Sequence, residues 1–302
     1  MIKKESFRSP LFYVGDKRKL ITEIKLYFPN NINRFIEPFV GGGSVFMNTE
    51  ADEYLLNDID SNIYNIHLML NNYSTKKNIF FQRVINIIDQ YGFSKSFIED
   101  IIPIELKNKY KKTYYAHYNK VAYNKLKHDF NLSCKDDYLK LYILLIYGFN
   151  RMMRTNSYGD FNVPVGNVDF NNNVVKALND YFDIVSSNKI QWFNMDYRKF
   201  IEKIQVNTND FIYFDPPYLI SSSEYNKYWT NRSEFMFCKY LENLNKENVK
   251  FAVSNVIHYR GKTNTIFEKW SLNYNVHLIN SNYISFNDNS NKEFKEVLIT
   301  NY

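Results

Sequence analysis

Cysteine is nearly absent: the 302 residues contain only Cys134 and Cys238, which lie far apart in the sequence. Two cysteines without metal-ligand spacing form no disulfide framework, so we expect two buried free thiols and a reducing cytoplasm, bacterial or of a phage-infected host. No apolar run reaches the length of about 18–20 residues that a membrane span needs. The amino terminus has no apolar stretch behind its charged residues, so we expect neither a secretory signal nor membrane association.

The histidines also lack metal-ligand spacing, and no internal repeat or clear linker is visible. We therefore expect no bound metal and no catalytic histidine. What the chain does contain is 45% hydrophobic residues, enough for a sizeable core, and a formal net charge of +6 with a pI near 8.9. Lysine and arginine that neutralise phosphates supply the sequence-independent part of nucleic-acid affinity, so this charge favours a polyanionic partner. An AT-rich genome accounts for part of it, because Asn, Lys and Ile are also abundant.

The first third of the chain contains the start of a βαβ unit. Residues 18–28 have helical spacing, and residues 34–39 form a short apolar strand candidate. Val-Gly-Gly-Gly-Ser at 40–44 is a turn, and residues 45–48 open a helix. A second strand candidate at 53–56 leads into Asn-Asp. Strand, glycine turn, helix, strand and acid in this order indicate an α/β fold.

Helical patterns dominate from residue 59 to residue 183, and an Asn- and Gly-rich segment at 152–169 within them is typical of a hairpin. Strand signals resume afterwards, at residues 190–193, 210–214, 249–253 and 296–300. We therefore predict a core formed by residues 1–58 and 184–302, interrupted by an inserted, mainly helical unit at 59–183.

The sharpest motif is Asp-Pro-Pro-Tyr at 215–218, directly after an apolar strand candidate. Proline has no N–H and a fixed φ, so the chain must leave the sheet there, at the carboxyl edge where open α/β sheets bind ligands. The carboxylate of Asp215, the carbonyl of Pro216 and the ring of Tyr218 then converge. Two acceptors that bind both hydrogens of an aromatic amine localise its nitrogen lone pair toward an electrophile. A plain strand exit with a capping aspartate is the alternative.

Three consecutive glycines at 41–43 follow the first strand and allow a ligand to approach the backbone closely. Asp58 follows the next strand, where a carboxylate can bind both ribose hydroxyls. A nicotinamide-dependent dehydrogenase would carry G-x-G-x-x-G here, and that spacing is absent. A purely structural glycine turn is the other alternative.

Together these blocks resemble the Dam family of DNA adenine methyltransferases (D12 class, alpha group) and look closest to its phage-encoded branch. The matching blocks, in family order, are residues 13–17, 35–46 with 57–58, 148–166, and 210–229 with the tail 249–270. The resemblance implies a Rossmann-like core that depends on S-adenosylmethionine, with an inserted, mainly helical DNA-recognition domain and hairpin.

The resemblance also implies a role for each matching position. The residues expected to bind S-adenosylmethionine are Tyr13, Lys17, Glu37, Phe39, Gly41, Asp58 and Asp215. Among these, Asp58 is expected to bind the ribose and Asp215 to lie near the methionine end of the cofactor. The expected catalytic residues are Asp215, Pro216, Pro217 and Tyr218.

The block at 148–166 resembles the DNA-reading segment of the family. Phe149 is expected to wedge into the base stack, while Asn150 and Arg154 reach base edges, since Arg suits guanine and Asn suits adenine in the major groove. Asn156 is expected to bind DNA in the same segment. Tyr225 matches the loop that closes over the target base in such enzymes. An ordinary polar loop is the alternative.

The sequence departs from the family pattern at a few positions. Asp16 stands where the family has Gly or Asn, and Phe12 replaces a lysine of the bacterial enzymes. Asn167 and Val168 follow the hairpin where relatives carry basic residues that help to read the target. These changes leave the chemistry intact and bear on the target sequence.

We therefore predict a site-specific methyltransferase that acts on the exocyclic amino group of adenine in double-stranded DNA, at GATC or a related short site. A monomer or weak dimer is expected, and a cognate restriction endonuclease is a partner that the family allows. Two alternatives stay open: an amino-methyltransferase for cytosine, RNA or a protein glutamine, and a non-catalytic DNA-binding regulator.

Overall fold

Short apolar runs form the strands of a mixed sheet. The computed structural model describes residues 6–13, 15–221, 228–279 and 294–302. Eight strands lie in these residues: β1 (Arg34–Glu37), β2 (Glu53–Asn57), β3 (Ile190–Phe193), β4 (Asp210–Phe214), β5 (Lys250–Tyr259), β6 (Lys262–Thr263), β7 (Asn275–Ile279) and β8 (Phe294–Thr300).

The strand order is β3-β2-β1-β4-β5-β8-β7, and β6 pairs with the carboxyl end of β5. Strands β1 to β5 are mutually parallel, whereas β8 runs antiparallel between β5 and β7. The chain moves outward from β1 to β2 and β3 and then returns to β4 on the other side of β1. The strand order therefore reverses between β1 and β4, and ligands of open α/β sheets bind outside the carboxyl ends of the strands at such a point.

The α-helices of the described residues are α1 (Ile21–Ile24), α2 (Ser61–Tyr73), α3 (Lys77–Tyr91), α4 (Ile104–Tyr110), α5 (Tyr114–Leu132), α6 (Tyr138–Tyr147), α7 (Asn172–Ser187), α8 (Tyr197–Ile204), α9 (Asn231–Lys246) and α10 (Thr265–Ser271). Helix α6 is apolar on almost every side and lies buried among its neighbours, as expected of a central helix. None of the helices in the described ranges has the length and apolar character required to span a bilayer.

The two faces of the sheet bury different clusters. Along β1, Phe35 joins the cluster formed with the helices of residues 61–187, whereas Ile36 joins the cluster formed with α8, α9 and α10. Tyr213 and Phe214 divide in the same way along β4, because successive side chains of a strand point to opposite faces. The inserted helices and the amino-terminal segment thus cover one face of the sheet, with Phe28 packed on Tyr213 of β4. The architecture confirms the predicted α/β fold, and the exact limits of the inserted unit stay a prediction.

Three local expectations were wrong. The helix predicted at 18–28 is a chain of short pieces, in which α1 lies between the 3-10 turns Lys17–Lys19 and Lys25–Tyr27. The helix after the glycine turn is a single 3-10 turn, Phe46–Asn48, because Thr49 is already extended toward β2. Cys134 is exposed, beyond the end of α5, and only Cys238 is buried as expected.

Candidate active site

The glycine turn and the Asp-Pro-Pro-Tyr tetrad follow two neighbouring parallel strands. The turn begins after β1 and the tetrad after β4, and Ile36 of β1 pairs with Ile212 of β4. Parallel neighbours end at the same edge of the sheet, so both segments emerge at the point where the strand order reverses. The structure therefore brings together the two motifs that the sequence singled out.

The glycine turn is tight and lies against the amino-terminal segment. The N–H of Gly43 donates to the carbonyl of Val40 over 2.7 Å, and both Gly41 (φ +46°) and Gly43 (φ +79°) are in the left-handed region. A Cβ on Gly42 would lie 2.8 Å from the Cβ of Tyr13. Side chains are therefore excluded by backbone conformation at two of the positions and by close approach at the third.

His67 of α2 is hydrogen-bonded to the glycine turn. Its Nε2 lies 2.8 Å from the carbonyl oxygen of Gly41, and its Nδ1 lies 2.9 Å from the hydroxyl of Tyr181. A carbonyl only accepts, so Nε2 carries the proton and Nδ1 accepts from Tyr181. The ring is fully buried and stacks on Trp192 with centroids 4.5 Å apart. Burial lowers the pKa of His67 to about 4, which keeps the ring neutral at physiological pH.

Asp58 lies just beyond β2, beside the same turn. Its Oδ2 accepts from the N–H of Gly41 over 2.8 Å, and its Oδ1 accepts from the N–H of Asp60 over 2.9 Å. Desolvation raises the pKa of Asp58 to about 6 in spite of these hydrogen bonds. The carboxylate is half-buried and is held at the position predicted for the ribose-binding acid.

Asp215 is held by a lysine and a tyrosine. The Nζ of Lys17 lies 2.9 Å from Oδ2 of Asp215, and the hydroxyl of Tyr218 donates to Oδ1 over 2.7 Å. Lys17 is buried, and its backbone N–H donates to the hydroxyl of Ser44 in the glycine turn over 3.1 Å. One lysine thus connects the turn to the tetrad. Burial, with the charge of Asp215, raises the pKa of Tyr218 well above its ordinary value, so the phenol keeps its proton.

Two further acids complete this network. Glu296 of β8 places Oε1 3.7 Å from Nζ of Lys17 and 3.4 Å from the hydroxyl of Tyr218. Glu37 at the end of β1 accepts from the N–H of Phe46 over 3.2 Å. Burial raises the pKa of Glu37 well above its ordinary value, and the charge of Asp215 adds to this. The carboxyl groups of Asp215 and Glu296 thus share the single ammonium of Lys17, an arrangement that suits a positively charged ligand.

A cluster of aromatic rings surrounds Phe39. Its ring lies 5.2 Å from that of Tyr197 and 6.1 Å from that of Trp229, centroid to centroid. The indole N–H of Trp229 donates to the buried carboxyl of Glu234, which also accepts from Asn255 over 2.9 Å. Trp229 is thereby fixed just after the segment that contains Tyr225. Tyr225 itself lies outside the described residues.

The predicted DNA-reading segment is a narrow hairpin, with bridges between Gly148 and Val165 and farther along its arms. Phe149 is 47% exposed at its base, and Asn150 has a left-handed φ of +51°. The guanidinium of Arg154 donates to the side-chain and backbone oxygens of Asn162, over 2.8 and 3.1 Å. These placements leave the predicted DNA contacts of Phe149, Asn150 and Arg154 as predictions.

Asn156 has a visible structural task at the tip of this hairpin. Its Oδ1 accepts from the N–H groups of Tyr158 and Asp160, each over 2.9 Å, and so shapes the turn. An Asx-type turn of this kind needs no DNA to explain it. The DNA contact expected of Asn156 stays a prediction beside this role.

Sequence reasoning missed several members of the site. Ser44, His67 and Glu296 were not assigned, although each contacts a residue that was. Glu296 did leave a signal, because it is a charged residue directly before the apolar run 297–299 of β8. His67 left none, since a lone histidine on a helix has no pattern. Its partners come from the glycine turn and from α7, far away in the sequence.

Comparison with known proteins identifies the family of this chain. The model of the D12 class N6 adenine-specific DNA methyltransferases matches residues 13–284. The modification methylase StsI of Streptococcus sanguinis is 31% identical over 99% of this chain and 43% of its own length. The type II methyltransferase M.FokI of Planomicrobium okeanokoites is 31% identical over 98% of this chain and 43% of its own length. The DNA adenine methylase of Haemophilus influenzae is 30% identical over 74% of this chain and 68% of its own.

This chain therefore spans less than half the length of the first two relatives. None of these comparisons distinguishes a phage-encoded branch, which stays a prediction. The family match covers the glycine turn, the tetrad and the hairpin together. The chain belongs to the D12 class of N6 adenine-specific DNA methyltransferases.

Proposed function

We propose that this chain transfers a methyl group from S-adenosylmethionine to the exocyclic amino group of adenine in double-stranded DNA. The observation that carries the proposal is the placement of Asp215 beside the glycine turn, between the ammonium of Lys17 and the hydroxyl of Tyr218. That carboxylate lies where the strand order reverses, which is the ligand-binding edge of an open α/β sheet.

The residues present fit S-adenosylmethionine. Asp58 is bound to the N–H of Gly41 in the glycine turn, and its carboxylate is suited to two ribose hydroxyls. The acidic surroundings of Lys17 suit a ligand with a sulfonium and an ammonium group. When bound, S-adenosylmethionine supplies an electrophilic methyl group. Tyr13, Glu37, Phe39 and Gly41 line the rest of the proposed site.

In the proposed complex, Asp215 and the carbonyl of Pro216 accept the two N–H groups of the adenine amine. Each oxygen of Asp215 already accepts one hydrogen bond, and a carboxylate oxygen has room for two. The ammonium of Lys17 and the hydroxyl of Tyr218 fix the orientation of this carboxyl group, so Asp215 serves as an acceptor that positions the amine. Held in this way, the nitrogen lone pair points out of the base plane.

Pro217 and Tyr218 complete the proposed pocket. The ammonium of Lys17 lies 4.9 Å from the ring centroid of Tyr218, and the target base is proposed to stack on this ring. Adenine inside a duplex cannot reach the site, so the base must be flipped out, at a cost of a few kcal/mol. Stacking on Tyr218 offsets part of that cost, and Tyr225 belongs to the segment proposed to close over the base.

We further propose that the hairpin reads the target, GATC or a related short site, through Phe149, Asn150, Arg154 and Asn156. Action in the cytoplasm as a monomer or weak dimer, with a restriction endonuclease of the same specificity, belongs to the same proposal. The endonuclease need not touch this chain, since both would recognise the same DNA.

The proposal is tested with labelled S-adenosylmethionine and a mixture of duplexes that contains every short site. Digestion to nucleosides and mass spectrometry identify the modified atom, and RNA and a glutamine peptide serve as competing substrates. We expect N6-methyladenine from the duplex alone. Methyl groups on cytosine, RNA or glutamine would replace this function with one of the alternatives.

The variant Asp215→Asn tests the mechanism. Replacing one oxygen by an NH2 group removes the charge and one acceptor, and a single preorganised polar group is worth roughly 10²–10³-fold in rate. We expect such a loss, with binding of S-adenosylmethionine still measurable by calorimetry. Asp180→Asn is the matched control, because Asp180 belongs to a surface ion pair with Lys176 on α7. Wild-type activity in Asp215→Asn would refute the assignment.

A further inference from the structure

One aromatic ring near the hairpin contacts two arginines. The guanidinium carbon of Arg8 lies 4.4 Å from the ring centroid of Phe12, and that of Arg151 lies 3.9 Å from the same centroid. Arg8 and Phe12 belong to the amino-terminal segment, whereas Arg151 follows Asn150 in the hairpin. This group of Arg8, Phe12 and Arg151, the Phe12 cluster, joins two segments that the sequence treated separately.

Within the described residues, neither guanidinium group forms an ion pair, although Asp16 attracts Arg8 and Asp169 attracts Arg151 at longer range. The buried Nε of Arg151 makes no hydrogen bond in the part of the chain that the structure describes. Arg198, by contrast, pairs with Asp196. Burial, with the charge of Arg8, lowers the pKa of Arg151 to about 10. Two guanidinium charges on one ring repel each other, so an external acceptor would stabilise them.

The backbone on both sides of the cluster is bent in an unusual way. Phe12 and Arg151 have φ values of +51° and +50°, and Asn150 beside Arg151 has +51°. Residues other than glycine rarely adopt a positive φ, and those that do occur preferentially at ligand-binding sites. The bends place the two guanidinium groups against one ring, and stacking on a ring fixes the plane in which their N–H groups point.

The location of the cluster indicates the ligand. Phe12 is next to Tyr13 of the proposed cofactor site, and Arg151 is next to Asn150 of the proposed DNA-reading hairpin. A duplex whose flipped base reaches Asp215 while its groove meets the hairpin would lie over the place where these two segments meet. Arg presents a planar fork that matches a pair of acceptors, either two phosphate oxygens or O6 and N7 of guanine.

We propose that the Phe12 cluster is a DNA-binding site that grips such a pair of acceptor atoms on the duplex. This inference rests on the proposed function, because it needs a duplex as the ligand. It adds Arg8 and Arg151 to the DNA-contacting residues, and it assigns to Phe12 the task of holding both guanidinium groups in place.

The experiment measures duplex binding by fluorescence anisotropy over a range of salt concentrations. One duplex contains the site that the wild-type protein methylates, and the other contains the same bases in shuffled order. The variants are Arg151→Gln, Arg151→Lys and Arg8→Gln. Arg198→Gln is the matched control, since Arg198 also lies over an aromatic ring, that of Tyr197. Both residues belong to α8, which packs on the face of the sheet opposite the inserted helices. Thermal unfolding and calorimetry with S-adenosylmethionine verify that each variant is folded.

If the acceptors are phosphate oxygens, each Gln variant weakens both duplexes alike, and the slope of log K against log salt falls by about 0.9 for each phosphate that the variant no longer neutralises. If the acceptors are those of a guanine, Arg151→Gln and Arg151→Lys weaken the target duplex by roughly ten- to a hundredfold more than the shuffled one. Replacing that guanine by 7-deazaguanine then has the same effect on the wild-type protein. Either result supports the site.

Folded variants that keep both the wild-type salt slope and the wild-type preference for the target would overturn the inference and leave the cluster a packing feature. If Arg151→Gln does not fold, Arg151→Lys and Arg8→Gln decide the matter by the same two readouts. Failure of the proposed function looks different, because the wild-type protein itself would then leave the adenines of the duplex unmethylated.

Discussion

His67 is a buried group whose titration can be isolated, and His67→Gln removes it. Glutamine can still donate to the carbonyl of Gly41 and accept from Tyr181, so the hydrogen bonds under the glycine turn survive in part. The stack on Trp192 is removed, which costs about 0.5–1.5 kcal/mol of unfolding free energy at neutral pH. A turn with weaker support should also bind S-adenosylmethionine less tightly.

The larger effect depends on pH. The pKa of His67 is about 4 in the folded chain, against 6.5 for an ordinary histidine. Between these values the unfolded chain binds a proton that the folded chain does not, so stability is complete above pH 6.5 and falls as the pH drops toward 4. Each pH unit between the two pKa values is worth about 1.36 kcal/mol of unfolding free energy. The titration of His67 therefore lowers the unfolding free energy by about 2–3 kcal/mol between pH 7.5 and 4.5.

Asp58 acts in the opposite direction, because a raised pKa lets the folded chain bind the proton first and gain stability below about pH 6. The assay therefore compares wild type with His67→Gln at each pH, so that Asp58 and the other carboxyl groups cancel. Urea unfolding followed by circular dichroism gives the free energy. We expect the unfolding free energy of the wild type, relative to that of His67→Gln, to fall by about 2–3 kcal/mol from pH 7.5 to 4.5, so that the variant is the more stable of the two at pH 4.5. A difference that is equal at both pH values would show that His67 titrates normally.

Two other substitutions probe the fold, one in the glycine turn and one at the opposite edge of the sheet, and a third serves as a control. Gly43→Ala should destabilise the chain by about 2–4 kcal/mol in urea unfolding, since a Cβ would lie 2.4 Å from Cε1 of Phe46 and φ is positive. Gly92→Ala, also at positive φ but with nothing within 4 Å, should cost only about 1 kcal/mol, and equal losses would contradict the clash. Arg34→Met removes the guanidinium group that donates two hydrogen bonds to the buried carboxyl group of Asp210 at the amino edge of the sheet. It should lower the free energy of unfolding by about 3–5 kcal/mol and leave the KM for S-adenosylmethionine unchanged. A raised KM would show that this edge of the sheet affects the cofactor site.

Much of the architecture could be predicted because its signals are local. Apolar runs that end in glycine or proline mark β1 and β4, and those residues punctuate the chain whatever surrounds them. The edge strand β7 was missed, because Asn275–Ile279 has no apolar run and is mostly exposed. The short pieces at Lys17–Tyr27 were read as one helix, since helical spacing does not show where a chain turns in 3-10 steps.

The candidate site was predicted in part for the same reason. Asp215, Asp58 and the glycine turn stand at strand ends, and parallel strands bring their carboxyl ends to one edge. The sequence did not reveal that Lys17 would lie 2.9 Å from Asp215, nor that Glu296 would join them from β8. Those contacts depend on how separate segments pack, which no spacing along the chain encodes.

Sequence by itself determined which chemistry this chain can perform, because the residue types and the backbone limits of glycine and proline are covalent properties. Only the tertiary structure decided the electrostatic setting of that chemistry. It buried Lys17 among carboxyl groups, kept His67 neutral beneath the turn, and brought Arg151 of the hairpin onto the ring of Phe12. Charge and pKa depend on distance and desolvation, and these exist only once the chain has folded.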